Sequence, residues 1–211
     1  MLVGSKVNDF LAAAVPKLDP TGLTGLLPLA DHFRFYTVTD SFPSRATKDY
    51  SLSVKGLVDR PFTLTYDEIR ALPPTMLTKD FQCVTGWRVH NVHWTGVRLS
   101  HLLDRAGVQP NAKALRFTSF DGTYTESLTL DQGRRADVIV AYDLDGKPLS
   151  SDHGGPVRMY IAPMYGYKSC KWLDGIEVVD HVIPGYWETE GDYDVDGWVG
   201  QSNGRDDEPT S

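Results

Sequence analysis

The sequence predicts an α+β protein, mostly β, with mixed or antiparallel sheets and a few short helices. Three observations carry that expectation. About eight short runs either alternate apolar and polar residues or stay apolar between turn signals. Nineteen Gly, thirteen Pro and 11% aromatics in 211 residues supply the turns and the bulky side chains that a pleated surface packs. Regular strand–helix–strand alternation, the mark of a doubly wound parallel sheet, is missing.

In chain order, residues 1–32 mix Gly, Pro and Leu without a period and read as an irregular N-terminal arm. "YSLSVKGLV" (50–58) sets Tyr50, Leu52 and Val54 against Ser51, Ser53 and Lys55, a half-buried strand. "FTLTYDEIRAL" (62–72) begins as a strand and turns helical at Thr65, where Thr65 and Glu68 have capping-box spacing. Pro73 and Pro74 stop that helix. "KDFQCVTGW" places Cys83 at the end of a strand, before a Thr-Gly turn. "RLSHLLDRAG" (98–107) spaces Leu99, Leu102, Leu103 and Ala106 along one helical face and ends in Gly107. "KALRFTSF" and "TYTESLTL" flank Asp121-Gly122, a hairpin signal, and "DVIVAYDL", Asp145-Gly146 and "KPL" make a second. "PVRMYIAP" (156–163) and "GIEVVDHVI" (175–183) complete the strands.

The expected organisation is an arm (1–32), a catalytic domain (33–190) and an acidic tail (191–211). The 41% hydrophobic content suffices for a single core. The net charge of −7 is uneven: from Tyr186 onward eight acids face Arg205 alone, and 1–185 carries 20 charges of each sign. No basic face for nucleic acid follows. Residues 200–211 read as a solvated end. No window reaches the roughly 18 apolar residues of a membrane span, and the N-terminus shows no export signature. The chain reads as cytoplasmic as given, and as exported or membrane-associated if an upstream segment has been removed.

"FQCVTGWRVHNVHW" (81–94) concentrates candidate chemistry. Cys83 reads as a small buried apolar residue, a nucleophile, half of a disulfide with Cys170 or a metal ligand. There is no CxxC or CxxCH. A zinc site needs four closed ligands, whereas Cys83, His90 and His93 make three. The two histidines also have opposite parity on a strand. A lone thiolate suits a metal that brings its own sulfur ligands. Further on, "HGGPVRMYIAPMYGYKSCKW" (153–172) combines close-approach glycines with Arg158, Lys168, Ser169 and Lys171. That set suits a phosphate-bearing cofactor, the alternative being a loop of solvated lysines.

Together these stretches resemble the sulfite-oxidase-like molybdopterin-dependent oxidoreductases, which include sulfite oxidase and the catalytic subunit of bacterial methionine-sulfoxide reductase. The matching segments keep the family's order over roughly residues 33–190: "FQCVTGW", "WTGVRLSHLLDRAGV", "IVAYDLDGKPLSSDHGGPVRMYIAP", "YGYKSCKWLDGIEVV" and "GYWE". The resemblance implies a sulfite-oxidase-type molybdopterin-binding fold with mixed sheets and short helices, and a molybdenum–molybdopterin cofactor. It implies Cys83 as the one protein ligand to molybdenum, the pterin supplying two further sulfurs. It places His153, Arg158, Lys168, Ser169, Cys170 and Lys171 at the cofactor, with Ser119, Tyr36 and Thr37 as further contacts. The sequence also departs from the family. Only Arg88 lies beside Cys83 where sulfite oxidases cluster arginines. His153 stands where the bacterial reductase carries asparagine. Nothing matches a cytochrome b5, flavin or immunoglobulin-like module.

The resulting expectation is an oxidoreductase moving an oxygen atom, or two electrons, to or from a small substrate. Arg88, His90 and His93 are expected near the open side of the metal, Arg88 in a catalytic role. Electrons are expected to pass to or from a separate partner, a haem protein, with the tryptophans and the acidic end as docking features. A non-catalytic molybdopterin-binding subunit and a Cys-dependent hydrolase are the alternatives.

Overall fold

The alternation in the first strand decides which side of the chain becomes interior. A computed structural model describes residues 33–210; the expected arm at 1–32 lies outside the described residues. Tyr50, Leu52 and Val54 are all buried, as the period of two requires. They face inward from β1 (Ser51–Gly56), which pairs antiparallel with β2 (Phe62–Thr65). On its other edge β1 runs parallel to β10 (Leu173–Val179). β10 pairs antiparallel with β5 (Ala114–Ser119), and β5 with β6 (Thr125–Thr129). One sheet therefore runs β2-β1-β10-β5-β6 and is mixed.

The second sheet is antiparallel. It orders β3 (Thr75–Gln82), β4 (Arg88–Arg98), β7 (Val138–Leu144) and β8 (Lys147–Pro148), with β9 (Arg158–Ile161) also on β7. Both faces of its centre, β7 and β9, are buried. Val138, Val140, Tyr142, Met159 and Ile161 join the main core with the first sheet. Ile139, Ala141 and Tyr160 point the other way, into a second cluster with Trp94, Phe81 and Trp87. That double burial explains why "VIVAY" is continuously apolar although its neighbours are antiparallel.

Short helices close the ends. α1 (Tyr66–Arg70) starts with the expected capping box: Thr65 Oγ1 accepts from the Glu68 N–H, and the Glu68 carboxylate accepts from the Thr65 N–H at 2.8 Å. α2 (Leu99–Ala106) buries Leu99, Leu102, Leu103 and Ala106 in the main core. It ends at Gly107, whose φ of 71° is the left-handed cap that only glycine takes at no steric cost. α3 (Leu130–Gly133) is capped by Thr129, and α4 (Tyr186–Glu190) follows the last strand.

Two expectations are corrected. His90 and His93 were expected on opposite faces of a strand. Both are exposed, because β4 bulges at Asn91, whose φ is 52°. The β3–β4 register shifts between Lys79 and Phe81. Asp80, opposite the bulge, accepts from the Asn91 N–H at 3.0 Å and lies 3.0 Å from His90 Nδ1. The extra residue resets parity and puts both histidines on one side. The second correction concerns 200–210, expected as a solvated end. This segment packs on the body. Val199 and Ser202 are buried, Asp207 accepts from Tyr165 Oη at 2.8 Å, and Thr210 Oγ1 donates to the Ala162 carbonyl at 2.6 Å. No helix among the described residues is long and apolar enough to cross a membrane.

Leu102 is fully buried between α2 and the first sheet. Leu102→Ala should cost about 3 kcal/mol through lost burial and a residual cavity. Thr65→Ala, which removes only the cap, should cost about 1 kcal/mol. Denaturant titration of the two variants reads the ordering; equal losses would place the core elsewhere.

Candidate functional site

The turn after β3 and the loop after β9 meet on the second apolar cluster. A Cβ on Gly166 would lie 2.5 Å from Phe81, two residues before Cys83. Glycine is therefore needed for contact between segments more than eighty residues apart. Between them opens a cavity of about 370 Å³.

Cys83 lines this cavity at the first residue of a tight turn. Its N–H donates to the Trp87 carbonyl at 2.9 Å, its carbonyl accepts from the Gly86 N–H at 3.0 Å, and Gly86 has φ 98°. The sulfur lies 3.2 Å from Thr85 Oγ1. Cys83 is partly exposed to the cavity, yet its surroundings are apolar enough that burial pushes the thiol up. Thr85, Arg205 and Arg34 act in the opposite sense. Both cysteines are free thiols, so the disulfide alternative falls. Among the described residues, no group of three His, Cys, Asp or Glu side chains converges as a metal site.

Two other lining residues are cationic. Arg158, on β9, is buried. It donates to the His153 carbonyl at 2.8 Å, the Ser169 carbonyl at 3.0 Å and the Met159 carbonyl at 3.2 Å. Its guanidinium sits 5.5 Å from the ring centres of Phe81 and Trp94. Burial lowers its pKa to about 10. Lys171 donates to the Tyr36 carbonyl and lies 4.2 Å from the Trp172 ring. Burial, then the neighbouring Arg158, lowers it to about 7. Among the described residues neither cation has a salt-bridge partner, and both line the cavity. Two cationic groups without a salt-bridge partner in a sheltered hollow suit an anion, with Asp121 and Asp152 also in the lining.

The expected residues divide. Cys83, Tyr36, Thr37, His153, Arg158, Ser169 and Lys171 all line the cavity. His153 shares a hydrogen bond with Ser150 (2.9 Å), is flanked edge-on by Phe33 and Phe35, and is held below the usual imidazole range, first by burial and then by Arg158. Ser119 does not line the cavity; its Oγ accepts from the Asp121 N–H at 3.2 Å and so orients the next turn. Lys168 is turned inward, wholly buried between Glu126 and Glu188. Cys170 is buried in the main core, its thiol raised well above the usual range by burial. Arg88 does not reach the cavity. It donates to Gln82 Oε1 at 2.6 Å, to Asp80 at 3.3 Å and to the carbonyls of Glu208 and Pro209. His90 and His93 pair with Asp80 and Asp145 on the exposed side.

Sequence reasoning missed Asp121 and the aromatic wall. Asp121 Oδ1 accepts from the N–H groups of Thr123 and Tyr124, both at 2.8 Å, while Oδ2 is buried without a partner in the cavity lining. "SFDGTY" reads as turn chemistry, which hides a second role. Tyr124, Tyr167, Trp187 and Tyr193 also line the cavity. Tyr167, Trp187 and Tyr193 pack with Val84, the neighbour of Cys83.

Comparison with known proteins follows the same segments. The family model described as "Oxidoreductase molybdopterin binding domain" matches residues 39–187. An uncharacterised oxidoreductase, YuiH, of Bacillus subtilis is 37% identical over 164 residues, 73% of this chain and 82% of that protein. Sulfite oxidase of Arabidopsis thaliana is 29% identical over 197 residues, 77% of this chain and 47% of that protein. The solved sulfane dehydrogenase SoxCD of Paracoccus pantotrophus superposes with a TM-score of 0.62 at 25% identity, over 67% of this chain and 41% of that one. The chain thus spans less than half the length of the last two.

Lys171 gives a pH test of the anion site. A doubly charged anion favours the protonated amine and raises its pKa, so binding takes up a proton. Sulfate affinity of the metal-free protein should rise roughly tenfold from pH 8 to pH 6, across a pKa of about 7. Lys171→Met should flatten that slope in calorimetric titration; an unchanged slope would remove Lys171 from the site.

Proposed function

The chain belongs to the oxidoreductase molybdopterin-binding domain family, and from that premise we propose a division of labour among its cavity residues. It is a molybdopterin-dependent oxidoreductase of the sulfite-oxidase type. The residues present fit such a group: a lone thiol, two cations without a salt-bridge partner, and an unpartnered buried carboxylate oxygen share one cavity lining. When bound, the cofactor supplies a metal able to accept or release two electrons as an oxygen atom moves.

In this reading Cys83 is the protein's ligand to the metal. Its turn holds the sulfur at the cavity and leaves it no backbone task. Arg158, Lys171 and the loop at Ser169 hold the cofactor's phosphate. His153, Tyr36 and Thr37, in the same lining, would contact the rest of the cofactor. The free oxygen of Asp121 accepts from ring N–H groups, which a carboxylate without another partner is placed to do. The single observation that carries this assignment is the pair of sheltered cations without a salt-bridge partner, sharing one cavity lining with a free cysteine. Arg88 is released from the catalytic role expected of it, because its donors are committed to Gln82, Asp80 and the returning C-terminal segment.

The reaction class is oxygen-atom transfer or related two-electron chemistry on a small substrate. A substrate that gains oxygen from water releases two protons and two electrons; the reverse direction consumes them. The electrons go to or come from a separate redox protein, for which a haem protein is the proposed class. The hydrolase alternative loses its base: His90 and His93 are turned outward, and His153 pairs with Ser150.

Protein made in a host that synthesises the cofactor should hold about one molybdenum per chain. Cys83→Ala should fold, melt like the cofactor-free wild-type protein and lose most of that metal. Full molybdenum in folded Cys83→Ala would reject the ligand assignment. A screen of sulfite, sulfoxides, N-oxides and nitrate with dye donors and acceptors then sets substrate and direction.

A further inference from the structure

Behind the aromatic wall lies a charged group that touches neither Cys83 nor the cationic side. Glu126 on β6, Lys168 in the 3-10 turn Gly166–Lys168 and Glu188 on α4 converge with side-chain exposures of 0%, 0% and 1%. Lys168 Nζ donates to Glu126 Oε1 at 2.5 Å and to Glu188 Oε1. Glu126 Oε1 also accepts from the Ser127 N–H at 2.8 Å, and Glu188 Oε2 accepts from the Gly185 N–H. Glu126 Oε2 has no partner.

Two buried carboxylates against one ammonium would leave a net negative charge that an interior does not hold. One proton kept by the carboxyl pair restores neutrality. Burial, with Glu188 adding to it, does push Glu126 well above the carboxylate range in spite of Lys168. The other titratable groups that feel this cluster are Tyr124, Tyr167 and Cys170, all raised, first by burial.

The placement of the three residues is more informative than their energy. Lys168 lies between Tyr167 and Ser169, Glu188 follows Trp187, and Glu126 is two residues beyond Tyr124; each of those four neighbours lines the cavity. None of the three charged residues does. Each therefore anchors a segment from behind while its neighbour faces the hollow.

We propose that Glu126, Lys168 and Glu188 form a buried ionic clamp that positions Tyr167 and Trp187 as the wall beside Cys83, and so sets substrate affinity rather than holding the cofactor. The affinity part rests on the functional reading above; the positioning part does not. A side chain that fixes a wall from outside the site should change KM more than kcat.

The test uses the holoprotein and the double variant Lys168→Met/Glu188→Gln, which removes both charges together, so that neither is left alone. Should it not fold, Glu188→Gln replaces it, Glu126 then being free to ionise against Lys168. Three quantities are read: molybdenum per chain, acrylamide quenching of Trp187 (by difference from the same protein with Trp187→Phe), and KM and kcat for dimethyl sulfoxide with a reduced viologen dye. The expected result is unchanged molybdenum, quenching raised roughly twofold as the wall loosens, and KM raised about fivefold with kcat within about threefold. Loss of molybdenum from the folded variant would return Lys168 to the cofactor and overturn the proposal. Unchanged quenching would overturn it as well. If wild-type protein holds molybdenum but turns nothing over, the functional reading fails and the quenching result alone decides the clamp.

Discussion

The site depends on one buried guanidinium. Arg158 sits on β9 with both apolar clusters around its strand, and it has no acid beside it. Three backbone carbonyls take up three of its five donors: His153, before the strand, Met159, within it, and Ser169, after it. Phe81 and Trp94 take up its face. Hydrogen bonds to a charged donor are worth about 1.5–3 kcal/mol each, and a ring face adds about 0.5–2 kcal/mol when desolvated. These terms hold the charge in place without cancelling it. The guanidinium is thus a tie between three segments of chain and a fixed positive potential at the cavity.

What the sequence disclosed depends on how local each cause is. Strand alternation at Leu52 and Val54, the Thr65–Glu68 capping box and the Gly107 cap are set by neighbours within four residues, and all were legible. The eleven-residue β4 was not, because its period breaks at Asn91, and the acid that fills the bulge, Asp80, lies on another strand. Lys168 shows the same limit at the site. Composition counts a lysine beside Ser169 and Lys171 as positive charge, but Glu188, 20 residues downstream, pairs with it in the interior. Arg88 looked like a neighbour of Cys83 and is one in sequence only. In the ladder it stands opposite Gln82 and turns with it toward Asp80.

The acidic end changes meaning in the same way. Its charges read as solvated because none has a local partner other than Arg205. In the fold Arg205 pairs with Asp207, Asp207 accepts from Tyr165, and the carbonyls of Glu208 and Pro209 accept from Arg88. Arg205 reaches the turn of Cys83, where a Cβ on Gly86 would come within 3.2 Å of its Nη2. The segment beyond α4 therefore contributes a cation to the surroundings of the thiol, and the boundary between catalytic body and tail at residue 190 is not a physical one.

Thiol and amine pull in opposite directions, and that bears on how a cofactor would load. Burial keeps Cys83 protonated in the free protein, so metal ligation must release its proton. Lys171, held near pH 7, must gain a proton to face a phosphate. On the proposed assignment the two events oppose each other: the thiol gives up a proton as the amine takes one, in full only above pH 7, where the amine starts neutral. Below pH 7 the amine is already charged and binding releases a net proton; above it, the uptake at Lys171 offsets the release at Cys83. Loading is then least sensitive to pH above neutrality, and acid weakens it through the thiol rather than through the phosphate. Arg34 and Arg205 work on the same balance, since both favour the thiolate. On the proposed assignment, a ligand with a soft metal at the thiol and an anion at the amine supplies the charge that each of these groups lacks.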